Sequence, residues 1–324
     1  MKIVYVLTSS EEDNYLEQAV LSVSSLKKHN PSAHSVLLTD KPSFDSFSSC
    51  DKRKKLSSFF DEIIPVSIPP EFDKKASSRW LKTNMPNLVS GNLIYIDCDT
   101  IITGNLSELE SFDCDVAGVL DNNCHISESP FLSRLIRRKY TFAHRKEIFE
   151  HDSYINGGFI ICRDTQKAKD FFNLWHSLWK ESWRRGVVLD QPALNEANFR
   201  MGWIIKELEP CWNAQITIKL NSMNAARVIH YLVTNAENFY PLAQPSVLGQ
   251  IKEFGLIPDN VEKMLDNPFD LYSTDKKMRI ITDRNITLSE TGAYSALSKL
   301  YSKHPALFSF FDGLLSFVLK VLKK

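Results

Sequence analysis

Two carboxylates one residue apart, Asp97 and Asp99, close an apolar run rich in β-formers, Leu93-Ile94-Tyr95-Ile96. At a strand end such a pair can offer oxygen ligands to a hard divalent cation, which can in turn neutralise a diphosphate. It can equally cap the turn that leaves the strand, since Asp is a favoured turn residue. Three further sets carry groups able to do chemistry. Asn156-Gly157-Gly158 sits beside the apolar run Phe159-Ile160-Ile161-Cys162, and its glycines suit a turn of unusual conformation or close backbone approach to a ligand. Asp190-Gln191 stands where a loop enters a helix, with Pro192 fitted to the first helical turn, and a plain N-cap would explain Asp190 as well. His230 ends the short run Arg227-Val228-Ile229. A lone histidine there is either structural or a metal ligand.

The elements that must position these groups read as an α/β chain. Ile3 to Leu7 forms a strand, Thr8-Ser9-Ser10 leaves it, and Tyr15 to Lys28 carries Leu16, Ala19, Val20, Val23 and Leu26 at helical spacing. Asn30-Pro31 ends that helix and Ser35 to Thr39 makes a second strand, so the chain opens β-α-β, the signature of a parallel sheet flanked by helices. No Gly-x-Gly-x-x-Gly follows the first strand, which removes the dinucleotide-binding fingerprint. The continuous apolarity of Leu93 to Ile96 predicts a strand covered on both faces, and ligands of open α/β sheets bind beyond the carboxyl ends of such strands. In Ser77 to Leu88, Arg79 and Lys82 lie one turn apart, facing either a phosphate or water. Val116 to Leu120 is another strand, ending at Asp121. Arg134, Arg137, Arg138, Lys139, Arg145 and Lys146 make a basic, aromatic-interleaved stretch that reads as a lid, an acceptor surface or a solvated helix face. The stripe Phe171, Trp175, Trp179 and Trp183 reads as core.

Composition bounds the function. The 324 residues are 43% hydrophobic and 24% charged, with Lys+Arg and Asp+Glu at 39 each, so no global field favours nucleic acid. The six cysteines form no Cys-x-x-Cys pair, which fits a reducing compartment and argues against structural zinc. The first apolar run is too short for a signal peptide, giving a cytoplasmic expectation. Near the C-terminus, Ser309, Asp312, Gly313, Ser316, Lys320 and Lys323 form a polar stripe opposite Phe308, Phe311, Leu315, Val318 and Leu322. Such a helix does not span a membrane; it lies at the interface or docks on the catalytic domain.

Taken together, the opening β-α-β, Asp97-Cys98-Asp99, Asn156-Gly157-Gly158, Asp190-Gln191 and His230 occur in the order seen in glycosyltransferase family 8, which the chain resembles over roughly residues 1 to 235. Within that family it looks most like the bacterial lipopolysaccharide hexosyltransferases. The resemblance implies a GT-A (Rossmann-like) fold with a mixed, mainly parallel sheet flanked by helices. Residues 1–240 would form the catalytic domain that binds nucleotide-sugar and metal. Residues 241–324 would form a mainly helical C-terminal region with an amphipathic tail at 305–324. It also implies a UDP-sugar donor, retention of anomeric configuration, and transfer to a glycan or lipid-linked acceptor in cell-surface polysaccharide assembly. The tail would then offer peripheral contact with the inner face of the membrane.

Carried over by position, the resemblance makes Asp97, Asp99 and His230 the metal ligands. Two hard oxygens and an imidazole suit Mn²⁺, with Mg²⁺ as the alternative. Thr8, Ser9, Asn14, Tyr15, Arg79, Lys82, Cys98 and Asn156 would meet the donor, and Gln191, Asp190 and Asp121 the reacting centre. One departure stands out. Family members often carry Gly-x-x-Lys-Pro-Trp soon after the metal histidine, its lysine reaching the diphosphate, whereas here Tyr231 to Glu237 holds no Lys, Gly or Trp. Two other functions compete: an inverting GT-A transferase with Asp190 as base, and a non-catalytic sugar-nucleotide-binding protein, against which retention of both aspartates and His230 speaks.

Overall fold

Strand β1 (Lys2–Leu7) is apolar on both sides because both of its faces are covered. Ile3, Tyr5 and Leu7 pack with α1 (Tyr15–His29), while Val4 and Val6 belong to a second core on the opposite face. The alternation of the extended chain thus feeds two layers of helices from one strand. The structure, a computed structural model, describes residues 1–129, 140–216, 221–232, 240–269, 283–289 and 291–322.

The chain continues through β2 (His34–Asp40), α2 (Lys41–Ser49), α3 (Asp51–Ser57) and β3 (Glu62–Val66). Next come α4 (Lys74–Thr83), α5 (Met85–Leu88), β4 (Leu93–Ile96), β5 (Thr100–Ile102) and β6 (Val116–Leu120). Then follow α6 (Arg145–Glu150), β7 (Ile155–Cys162), α7 (Gln166–Arg184), α8 (Gln191–Arg200), β8 (Ile205–Glu207), β9 (Ala214–Gln215) and β10 (Val228–His230). Helices α9 (Pro245–Phe254), α10 (Asp259–Asp266), α11 (Asp283–Ser289), α12 (Gly292–Lys303) and α13 (Pro305–Leu322) complete it.

Seven strands form the main sheet in the order β3-β2-β1-β4-β7-β6-β8. Its neighbours are parallel except where β7 runs against β4 and β6. A small sheet, β5-β10-β9, stands at the carboxyl end of β4, and the link between the two sheets is the tripeptide Asp97-Cys98-Asp99. This is the α/β architecture expected, with the polar tripeptide at the edge where ligands of such sheets bind.

The aromatic stripe of α7 faces inward: Phe171, Trp175 and Trp179 are buried and Trp183 packs against the same core. Two of these indoles also hold the loop that leads to α8. Trp175 Nε1 donates to the Asp190 carbonyl at 3.0 Å and Trp179 Nε1 to the Val188 carbonyl at 3.0 Å. Helices α9 and α10, beyond residue 240, send Val247, Leu248, Ile251, Val261 and Leu265 into the core that contains β1 and α1.

Several local expectations are corrected. Asn156-Gly157-Gly158 is not a turn; it lies inside β7, and neither glycine has a positive φ. Arg134, Arg137, Arg138 and Lys139 of the basic stretch lie outside the described residues, whereas Arg145 and Lys146 begin α6 and Lys146 pairs with Glu150 at 3.6 Å. Of the two alternatives for the tail, docking on the catalytic domain has no contact to carry it among the described side chains: Phe310 and Phe317 of α13 are 67% and 65% exposed, and no described side chain of α12 or α13 belongs to either core. Among the described residues no helix is long and apolar enough to cross a membrane.

Candidate active site

Strand pairing assembles the site. In the small sheet β10 runs antiparallel to β5 with His230 opposite Thr100, and the Tyr231 N–H donates to the Asp99 carbonyl at 3.1 Å. His230 is thereby fixed beside Asp99, although far from it in sequence. In the main sheet the β4–β7 ladder extends one step past Ile96, where the Asp97 N–H donates to the Gly158 carbonyl at 2.8 Å. Asp97 is thereby fixed opposite Gly158.

The ligand atoms of Asp97, Asp99 and His230 consequently lie within 4.8 Å of one another. His230 Nε2 is 3.2 Å from Asp99 Oδ1 and 3.9 Å from Asp97 Oδ2. Burial alone would raise the Asp99 carboxyl, but the imidazole beside it holds it below its ordinary value. Burial alone would lower the His230 pKa, and Asp99 reverses that and raises it. The Asp97 carboxylate accepts from the Tyr95 hydroxyl and lies 3.5 Å from Lys82 Nζ.

A relay of amides orients the imidazole. The Gly158 N–H donates to Asn156 Oδ1 at 2.8 Å, so that oxygen is an acceptor. Asn213 Nδ2 donates to the same oxygen at 3.1 Å, which turns Asn213 Oδ1 toward His230 Nδ1 at 3.0 Å. His230 Nδ1 therefore carries a proton and Nε2 faces the two carboxylates, an assignment that follows from the network starting at a backbone amide. Asn156 Nδ2 donates in turn to Asp121 Oδ1 at 2.7 Å. Burial raises the Asp121 carboxyl above its usual range despite hydrogen bonds from Asn156 and Gln191.

The glycines are required by close approach. A Cβ on Gly158 would stand 2.4 Å from His230 Cε1 and 2.8 Å from Asp97 Oδ2. On Gly157 it would meet the end of Lys82 at 3.1 Å. Lys82 itself is buried, 3.2 Å from Asp190 Oδ2 and over the Tyr95 ring. Arg79 reaches Asp190 Oδ1 at 3.6 Å. Asp190 thus precedes α8 without a capping bond from its side chain, which two cations engage instead.

A cavity of about 580 Å³ opens beside the aspartates. Leu7 and Thr8 at the end of β1, Tyr15, Lys74, Lys75 and Arg79, and Asp97-Cys98-Asp99 line it. Ser9 and Asn14 do not line this cavity. Ser9 donates its hydroxyl to Asp13 Oδ1 at 2.8 Å, and Asn14 precedes α1 without a side-chain cap. Tyr95, Asn213 and Gln215, whose Oε1 accepts from the Asn122 N–H at 2.8 Å, belong to the site and escape sequence reasoning. The only trace of the last two is an amide-bearing run, Asn213-Ala214-Gln215, in apolar surroundings.

The fold is similar to that of solved sugar transferases. The bifunctional glycosyltransferase WbbM has a similar fold (TM-score 0.53, 16% identity over 84% of this chain), and the chain spans about half of it, 51%. The galactosyltransferase LgtC, solved with donor and acceptor sugar analogs, is similar at TM-score 0.52 and 13% identity, covering 81% of this chain and 99% of that one. An active-site glutamine-to-glutamate variant of LgtC gives TM-score 0.51 at 12% identity with the same coverage. No curated protein sequence matches the chain.

Gly158→Ala is expected to displace His230 or Asp97 and to cost about 1–3 kcal/mol of stability, the usual range for overpacking. Gly157→Ala, whose Cβ would meet the end of Lys82 at 3.1 Å and Asp190 Oδ2 at 3.4 Å rather than a ring at 2.4 Å, should cost less than Gly158→Ala. Urea denaturation of both variants checks this, and equal costs would contradict the packing described. The family described as Glycosyl transferase family 8 matches residues 6–236, and the chain belongs to that family and is a glycosyltransferase.

Proposed function

We propose that the protein transfers a hexose from a UDP-sugar to a hydroxyl of a glycan or lipid-linked acceptor, with retention and with Mn²⁺ held by Asp97, Asp99 and His230. The observation that carries this reading is the convergence of those three ligand atoms within 4.8 Å beside a 580 Å³ cavity. Their chemistry suits the ion. Two carboxylates and an imidazole whose Nε2 is turned toward them form a mixed hard and borderline donor set. Asp97 and Asp99 also bring two carboxylates together at one edge of the cavity, a local concentration of negative charge that a divalent cation offsets. Mg²⁺ would occupy the same ligands less well, because it prefers all-oxygen coordination. When bound, the ion supplies Lewis acidity to the departing diphosphate.

The remaining roles fall to the chain. Thr8, Tyr15, Cys98 and Arg79 line the cavity that would receive the nucleotide. The transferred sugar would lie toward Lys82, Asp190 and Gln191, with Asn156 holding Asp121 in place. Asp190 faces two cations and Asp121 accepts from Asn156, Asn122 and Gln191. Charge already engaged in this way makes a poor nucleophile, which favours same-face attack assisted by the leaving phosphate over a glycosyl-enzyme on either carboxylate. The engagement of Asp190 equally disfavours its use as the base of an inverting transferase. Trapping of a glycosyl adduct on Asp190 or Asp121 would contradict this.

The tail supports contact with a membrane surface and a place in cell-surface polysaccharide assembly. Leu307, Phe310, Leu314, Phe317 and Val321 are exposed on α13, and Asp312 is the only acidic residue from Gly292 to Lys324. An exposed apolar helix with Lys299, Lys303, Lys320, Lys323 and Lys324 along or beside it has the composition of an interfacial helix. The protein would act at the cytoplasmic face, with its catalytic domain at residues 1–240 and, within the C-terminal region at 241–324, the amphipathic tail at 305–324 set against lipid.

Asp99→Ala should lower Mn²⁺-dependent hydrolysis of UDP-hexoses by at least about 100-fold, the several kcal/mol a Lewis acid contributes, while the protein stays folded. Unchanged rates would sink the metal assignment. Removal of residues 303–324 should abolish co-sedimentation with phosphatidylglycerol vesicles; equal sedimentation of the shortened protein would remove the membrane role.

A further inference from the structure

The loop that follows His230 cannot supply a cation to a diphosphate. No Lys or Arg occurs between His230 and Lys252, and Lys252 Nζ is committed to the Asp13 carbonyl at 2.8 Å, outside the cavity lining. A bound diphosphate would nevertheless bring more negative charge into a cleft already lined by Asp97 and Asp99. Charge-assisted hydrogen bonds from Lys or Arg are the usual means of holding such a group.

The cations that reach the cavity come from one helix. Helix α4 lines the cavity with Lys74, Lys75 and Arg79. Lys74 is ion-paired with Asp13, and Arg79 lies 3.6 Å from Asp190. Lys82, further along the helix, is held between Asp97 and Asp190. Lys75 alone of these four makes no ion pair or hydrogen bond among the described residues. It stands one turn before Arg79, so both project from one face of the helix. Its exposure leaves the ammonium hydrated and free until a ligand arrives.

We infer that Lys75 binds the diphosphate of the nucleotide donor from α4, in place of a lysine from the loop after His230. The inference rests on the UDP-sugar reading above and adds a subsite to it. The diphosphate would lie between Lys75 on α4 and the edge formed by Asp97 and Asp99, which line the same cavity.

Calorimetric titration with UDP and with uridine, both in Mn²⁺, tests this on the full chain. Lys75→Ala should weaken UDP binding about tenfold, the value of one charge-assisted hydrogen bond. Uridine binding should be unchanged, Lys75→Arg should retain UDP affinity, and the difference between wild type and Lys75→Ala should shrink as salt is raised. Equal UDP affinity in wild type and Lys75→Ala overturns the assignment and leaves the donor reading intact. Equal loss of UDP and uridine also overturns it, since the defect would then be structural. Wild-type protein that binds no UDP overturns the donor reading and this inference together.

Discussion

The site depends on one antiparallel pairing, β10 against β5. The chain leaves β4 through Asp97-Cys98-Asp99, starts a new strand at Thr100, and receives His230 directly opposite that residue. A short strand pair would be a weak device on its own. Here it is anchored by a buried core: Ile101, Ile102, Val228 and Ile229 are fully buried, and β9 adds a third strand beside His230. The cost of holding two carboxylates and an imidazole together is met by that packing, because burial of unpaired charge is otherwise strongly unfavourable.

Around this pairing the polar groups are ordered by backbone rather than by chance contacts. The Gly158 N–H fixes the orientation of Asn156, Asn156 fixes Asn213, and Asn213 fixes the imidazole. Gly158 takes part twice, since its missing side chain makes room for the His230 ring. On the other flank Lys82 and Arg79 hold Asp190, while the indole of Trp175 holds the same residue by its carbonyl. The aromatic core and the candidate site are therefore connected through Asp190, so that packing in α7 sets the position of that carboxylate.

Much of this is legible in the sequence, for identifiable reasons. Strand β1 and helix α1 declare themselves by apolar runs and helical spacing, and Leu93 to Ile96 by continuous apolarity ahead of two aspartates. Local propensity and burial agree there, so the pattern is unambiguous. The glycines of β7 mislead, because a Gly-Gly pair reads as a turn when its cause is a histidine arriving from another sheet. Asp190 misleads similarly: an N-cap explanation satisfies the local sequence, but the two cations that claim its side chain come from α4. Asn213 and Gln215 are silent, since a buried amide has no periodicity and its partners lie on distant strands. Propensity describes neighbours in the chain, and these contacts are between strands.

The most direct test of the central claim is anomalous diffraction from crystals grown with Mn²⁺ and UDP, recorded at the manganese edge. The account predicts one strong peak within coordination distance of Asp97, Asp99 and His230 Nε2, with the nucleotide in the cavity between β1 and α4. A peak held by other side chains, or bound UDP with no manganese at this cluster, would contradict it.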